Sequence, residues 1–209
     1  AMPAKNMMVF KLAGMEPTAK VVYAASAGNW IMRHEPEIWA RTAKYVMLPT
    51  YLNYKLTGNL IDSASNQIGH IPFDYKNRRW MKPGSLTRCF CDVPNEKLCD
   101  LVPSGTVIGT VTDEVCALTG IPAGLPLIST GSDKGCETLG LAVVDSDKAS
   151  ISLGTTATIQ FSTTEYVEPQ QFLPAYPGVL NDHYNPEIEI YRGLWLLSWF
   201  VKEFGTADA

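Results

Sequence analysis

The chain has 209 residues, is 46% hydrophobic and 18% charged, and carries a formal net charge of -4, a globular composition with room for one large domain or two small ones. With a pI near 5.4 and no run of Lys/Arg, it lacks the basic footprint of a nucleic-acid binder. No apolar stretch reaches the roughly 18 residues that span a bilayer, and neither a signal peptide nor an N-x-[ST] acceptor is visible.

The chain opens on Ala1-Met2, which reads as a cloning scar followed by a start codon. Residues 17–58 are expected to be mostly helical. Ser26 is a candidate cap ahead of Trp30 and Ile31, and Pro36 starts a second helix. Ile38, Trp39, Thr42, Ala43 and Val46 repeat at three and four, which predicts one apolar face. Pro49 opens a third helix and Gly58 closes it.

Residues 59–80 mix short apolar pieces with Asp62, Ser63, Asn66, Gly69 and Asp74. The stretch "RRWMKPGSLTRCFCDVPNEKLCDLVPSG" reads as two short helices separated by turns. The cysteines stand at 89, 91, 99, 116 and 136. Their odd count and lack of paired zinc-type spacing predict free thiols, and with them a reducing cytoplasm.

From Val107 the pattern changes to strand, helix, turn, strand in "VIGTVTDEVCALTGIPAGLPLISTG". Thr112 or Asp113 can cap the helix and Gly120 can end it. Strand alternating with helix predicts an α/β architecture. In "ASISLGTTATIQFST" (149–163), apolar residues alternate on both sides of Gly154, which predicts a β-hairpin with Ile151, Leu153, Ile159 and Phe161 sharing in packing. The end, "YRGLWLLSWFVKEFG", reads as the start of an amphipathic helix.

Two turns could carry chemistry. Asp133 follows an apolar strand at the start of a helix, with Gly131 and Gly135 on either side. A carboxylate there is either an N-cap or a general base facing a ligand crevice, with the glycines leaving room for a substrate. Gly154-Thr155-Thr156 is either a plain hairpin turn or a cluster of N–H and O–H donors for phosphate. Neither a Walker loop nor a G-x-G-x-x-G fingerprint occurs.

Taken together, these turns resemble the FGGY carbohydrate kinases, which include xylulokinase and glycerol kinase. That family carries a Gly-x-x-Asp turn with the catalytic aspartate, then a Gly-rich helix, a linker and a Ser-Leu-Gly-Thr hairpin that contacts nucleotide phosphate. The corresponding positions here are Gly131, Asp133, Gly140, Ser152, Leu153, Gly154 and Thr155, with Gly131 two residues before Asp133 rather than three. Upstream, "NWIMRHEPEIWARTAKYVMLPTYLNYKLTG" and "SASNQIGHIPFDYKNRRW" resemble the same family, and "EIYRGLWLLSWFVKEF" is compatible with it.

The resemblance implies a partial two-domain ribonuclease-H-like (actin-like ATPase) fold of the α/β class. Residues 1–146 would be the second half of the N-terminal kinase domain, and 147–209 the start of the C-terminal one. It implies ATP-dependent phosphorylation of a sugar or polyol hydroxyl, with ATP and Mg2+. Asp133 would be the base, and Gly154, Thr155 and Thr156 would bind phosphate. Lys134 stands where the family often has an amide that touches the sugar. It is a candidate contact for an anionic substrate, or it pairs with Glu137 at i+3.

The family's Asp-x-Gly-Thr opening and its adenine-binding Gly-rich segment are missing, so an inactive middle segment is expected, with self-association through unpaired sheet edges. Competing readings are a non-catalytic remnant that binds a partner, and another actin-like protein such as an acetate-type kinase or a sugar-sensing repressor. The repressor would carry a helix-turn-helix, which is not seen.

Overall fold

The computed structural model describes residues 2–170 and 172–205. The chain divides into two compact units, residues 1–130 and 131–209.

The first unit opens with five helices: α1 (Ala4–Leu12), α2 (Glu16–Ala25), α3 (Ala27–His34), α4 (Pro36–Arg41) and α5 (Leu48–Thr57). Local chemistry fixes their ends. Ser26 Oγ accepts from the Asn29 N–H and caps α3, as a hydroxyl does for an orphan donor. Pro36 and Pro49 lie in the first turns of α4 and α5. Gly58 ends α5 in the left-handed region at φ 79°, where a side chain would be strained.

The apolar face expected to run from Ile38 to Val46 is cut short. α4 stops at Arg41 because Thr42 turns extended, at φ -70° and ψ 110°. The following residues bond elsewhere: Tyr45 N–H donates to the Lys97 carbonyl at 2.7 Å, and Lys44 Nζ to the Leu98 carbonyl at 2.7 Å. Trp39 and Tyr45 then pack onto buried Cys91, Val93 and Leu98, while Ile38 is left exposed.

Strand β1 (Ile61–Ser63) pairs in parallel with β4 (Asp100–Val102). Between them lie the hairpin β2 (Phe73–Asp74) and β3 (Arg79–Trp80) and three short 3-10 turns, Ala64–Asn66, Leu86–Phe90 and Asn95–Lys97. Phe73 is fully buried, with the rings of Tyr75 and Trp80 edge-on at 5.2 and 5.7 Å. Asp62 on β1 is also buried. Its carboxylate accepts from Thr50 Oγ1 at 2.6 Å, the Ser63 N–H at 2.7 Å and Asn66 Nδ2 at 3.2 Å, so its lone pairs are satisfied without a cation.

All five cysteines are free. Burial, with the Asp62 carboxylate nearby, pushes the Cys99 thiol up to about 11. Strand β5 (Val107–Thr110), helix α6 (Asp113–Thr119) and strand β6 (Pro126–Ile128) complete the unit. Thr112 caps α6, Gly120 ends it at φ 78°, and the two strands pair antiparallel.

The second unit holds helix α7 (Asp133–Gly140), strands β7 (Ser150–Leu153) and β8 (Ala157–Gln160), a two-residue pair β9 (Tyr176–Pro177) and β10 (Tyr184–Asn185), strand β11 (Glu187–Ile190) and helix α8 (Trp195–Phe204). β7 and β8 form the expected hairpin, and β11 adds to it antiparallel in the order β11-β8-β7.

For Ile151, Leu153 and Ile159 the packing is the reverse of the expectation, while Phe161 is half-buried. Ile151, Ile159 and Ile188 stand side by side across the three strands, next to Leu153, Ala157 and Ile190. Apart from the half-buried Ala157, all of this row pair is exposed. The buried face carries Ser150, Thr158 and Gln160. Polar partners compensate it: Thr138 of α7 bonds Ser150 Oγ at 3.0 Å and also Gln160 Oε1. Every described residue of α8 is at least partly accessible, none being buried.

Candidate functional site

All the residues singled out for chemistry lie in the second unit. α7 begins with Ser132 as its N-cap, whose Oγ accepts from the Gly135 N–H at 3.1 Å. Capping therefore does not fall to Asp133. Its side chain sits exposed on the first helical residue, at the positive end of the helix. Asp133 Oδ1 accepts the Lys134 N–H at 2.7 Å, and Oδ2 accepts no hydrogen bond from the described residues.

Gly135 is buried for a packing reason. A Cβ there would lie 3.1 Å from Val179 Cγ2 and 3.2 Å from Ser132 Oγ. Its missing side chain seats the helix against Val179.

Lys134 reaches across to the hairpin. Its Nζ donates to Ser152 Oγ at 2.7 Å, while Glu137 Oε2 is 4.0 Å away. The direct hydrogen bond to Ser152 is the contact that sequence spacing could not reveal. Glu187 on β11 faces the same seam and accepts from Gln160 Nε2 at 2.8 Å. Burial raises its carboxyl above the ordinary glutamate range, the Lys134 ammonium opposes that, and the Asp133 charge adds to it. An open cavity of about 360 Å³ runs between α7 and the sheet, lined by Lys134, Glu137, Thr138, Ser150, Ser152 and Gln160 among others.

Gly154, Thr155 and Thr156 form the hairpin turn, with Gly154 and Thr155 exposed. The turn's carbonyls are held on one side. Gly193 N–H donates to Thr155 O at 3.0 Å and Leu194 N–H to Gly154 O at 2.9 Å. Trp195 Nε1 donates to Thr155 O at 3.2 Å. The Gly154 N–H closes on Thr156 O at 3.0 Å. The N–H and hydroxyl donors of Thr155 and Thr156 engage no partner among the described residues. A turn with bound carbonyls and free donors is suited to an anion. The 193–195 brace was missed in the sequence because it joins segments far apart in the chain.

Among the described residues, no group of three or more His, Cys, Asp or Glu gathers as a metal site. No helix among them is long and apolar enough to cross a membrane.

Residues 8–140 match the family model for the N-terminal domain of the FGGY family of carbohydrate kinases. The chain is 33% identical over 158 residues to the uncharacterised sugar kinase YgcE of Escherichia coli (strain K12), covering 75% of this chain and 32% of that protein. It is 28% identical over 181 residues to the xylulose kinase of the same strain, covering 86% and 36%. The chain thus spans about a third of the length of these curated relatives. Among solved structures, the ligand-bound xylulose kinase of Lactobacillus acidophilus superposes with a TM-score of 0.74 at 20% identity, covering 97% of this chain and 42% of that one. This likeness establishes the fold as that of the actin-like kinases, present in part. With the family model matching well over half of its residues, the chain belongs to the FGGY family of carbohydrate kinases.

Proposed function

We propose that this chain supplies the base and one phosphate-binding turn of an ATP-dependent carbohydrate kinase. Residues 1–146 would then belong to the N-terminal kinase domain and 147–209 to the start of the C-terminal one. The observation that carries the reading is the division of labour at the start of α7: Ser132 caps the helix, which leaves the Asp133 carboxylate exposed with one oxygen uncommitted.

In this reading the acceptor hydroxyl of a sugar or polyol gives its proton to Asp133 Oδ2 as its oxygen attacks the γ-phosphorus of ATP. The bond from that phosphorus to the bridging oxygen breaks, and ADP leaves. The Lys134 N–H fixes the carboxylate through Oδ1, and the helix end favours its charge. An aspartate is a weak base in the ground state, but it can orient the nucleophile and accept the proton late in transfer.

The free donors of Thr155 and Thr156, beside Gly154, would neutralise phosphate oxygens. Charge stabilisation of that kind carries much of phosphoryl transfer. Magnesium would arrive on the nucleotide's phosphates. The described residues offer no cluster to hold it alone. Lys134 is the side chain through which an anionic acceptor would be recognised, and such an acceptor would have to draw its ammonium from Ser152.

The test uses a protein of the relatives' length that contains this segment. It should consume ATP in the presence of one member of a panel of pentuloses, hexuloses, polyols and sugar acids. Asp133→Asn should lower kcat by about 10²–10⁴-fold while sugar binding survives. A normal rate in that variant would remove Asp133 from the chemistry.

A further inference from the structure

Arg192 immediately precedes the segment that braces the 154–156 turn. Its guanidinium lies over the Trp195 ring, 5.0 Å from the centroid, and the indole N–H of that ring is bound to Thr155 O. Stacking on an aromatic face holds a guanidinium flat while leaving its edge N–H groups outward. The side chain is exposed. Among the described residues its one side-chain hydrogen bond is a 3.5 Å contact to the neighbouring Tyr191 carbonyl, at the outer limit of such bonds. No carboxylate of the described residues pairs with it.

An unpaired cation thus stands one aromatic ring away from a turn with four unused donors. Arginine's fork matches phosphate oxygens, where a lysine would offer only a point charge.

We infer that Arg192 is a second anchor for the phosphate chain of the nucleotide, working beside the 154–156 turn. The inference rests on the turn's assignment under the proposed function. One phosphate group would sit on the Thr155 and Thr156 donors, and an adjoining one would meet the guanidinium. The anchor therefore distinguishes a polyphosphate chain from a single phosphate. Trp195 acts as the positioning residue that keeps both parts together.

Calorimetric titration of the 209-residue chain with inorganic tripolyphosphate and, separately, with orthophosphate tests this. Arg192→Gln should weaken tripolyphosphate binding about tenfold or more, the scale of one lost charge-assisted pair, and orthophosphate binding much less. Arg192→Lys should recover part of the loss. Thr155→Val should weaken both anions. If Arg192→Gln leaves tripolyphosphate affinity unchanged while Thr155→Val lowers it, the anchor is wrong and the turn assignment stands. If Arg192→Gln weakens binding and Thr155→Val does not, the turn assignment falls, and the second-anchor inference that rests on it falls with it. Equal losses on the two anions, or no binding of tripolyphosphate at about 10 mM, overturn the inference.

Discussion

Replacing Gly193 with alanine tests the brace behind the phosphate turn directly. A Cβ at Gly193 would lie 2.6 Å from the carbonyl carbon and oxygen of Thr155, and closer still to the carbonyl oxygen of Gly154. These neighbours are backbone atoms, so no side-chain rotation relieves the collision. The turn has to back away, which breaks the hydrogen bonds from the Gly193 and Leu194 N–H groups. Two such bonds at roughly 1 kcal/mol each and about 1–3 kcal/mol of overpacking sum to about 3–5 kcal/mol. The loss of unfolded-state entropy on Gly→Ala returns about 0.4–1 kcal/mol where the backbone angles suit alanine. The expected net cost is about 3 kcal/mol.

With a urea m-value of about 2 kcal/mol/M, that lowers the unfolding midpoint by about 1.5 M. Far-UV circular dichroism through a urea series measures it. Gly140→Ala is the control, because Gly140 ends α7 with nothing within 4 Å of its added Cβ. It should stabilise by about 0.5–1 kcal/mol through helix propensity. If the two variants behave alike, the 193–195 segment does not hold the turn, and the exposure of its donors loses its explanation.

Two further expectations concern the seam between α7 and the sheet. Burial raises the folded-state value of the Glu187 carboxyl, so the native chain holds that proton to higher pH than the unfolded chain. The associated stability is complete at pH below the unfolded value of about 4.3 and is lost as pH rises through the folded value. Glu187→Gln should flatten that part of a stability-versus-pH curve and leave the variant the more stable at neutral pH. A curve of unchanged slope above pH 4 would contradict the burial argument. Separately, Lys134→Gln and Ser152→Ala should be coupled by about 0.5–1 kcal/mol in a double-mutant cycle of urea midpoints. Lys134→Gln and Glu137→Gln should be nearly additive, as for an exposed pair. The opposite ranking would assign the ammonium to the helix alone.

What could be read in the sequence was what local chemistry decides. Ser26, Pro36, Pro49, Gly58, Thr112 and Gly120 act within one helical turn of themselves, and each marks the boundary it was expected to mark. The hairpin was legible because period two survives on both sides of Gly154. Its inward face was not, because that depends on Thr138, a residue on another element that satisfies Ser150 and Gln160.

The parallel pairing of Ile61–Ser63 with Asp100–Val102 also escaped, since three-residue strands are too short to show a period. α1 was missed because Met7, Met8, Val9, Phe10 and Leu12 ring the helix without a stripe. At the candidate site, Asp133 and the 154–156 turn were visible as motifs. The Ser132 cap, the Lys134–Ser152 bond and the 193–195 brace were not, because one displaces an equally good capper and two connect distant segments.

The wetted rows of Ile151, Ile159, Ile188, Leu153 and Ile190 also decide how this chain meets its solvent. Sulfate and phosphate are excluded from protein surfaces and raise the cost of exposed hydrocarbon. A chain with so much of it on one sheet face should salt out early in ammonium sulfate and adhere to phenyl resin. The same property bears on any titration with phosphate-containing anions, whose general effect on that face is to draw molecules together. Tripolyphosphate measurements therefore need ionic strength matched with chloride and a low protein concentration, so that heat from salting-out is not read as heat from binding.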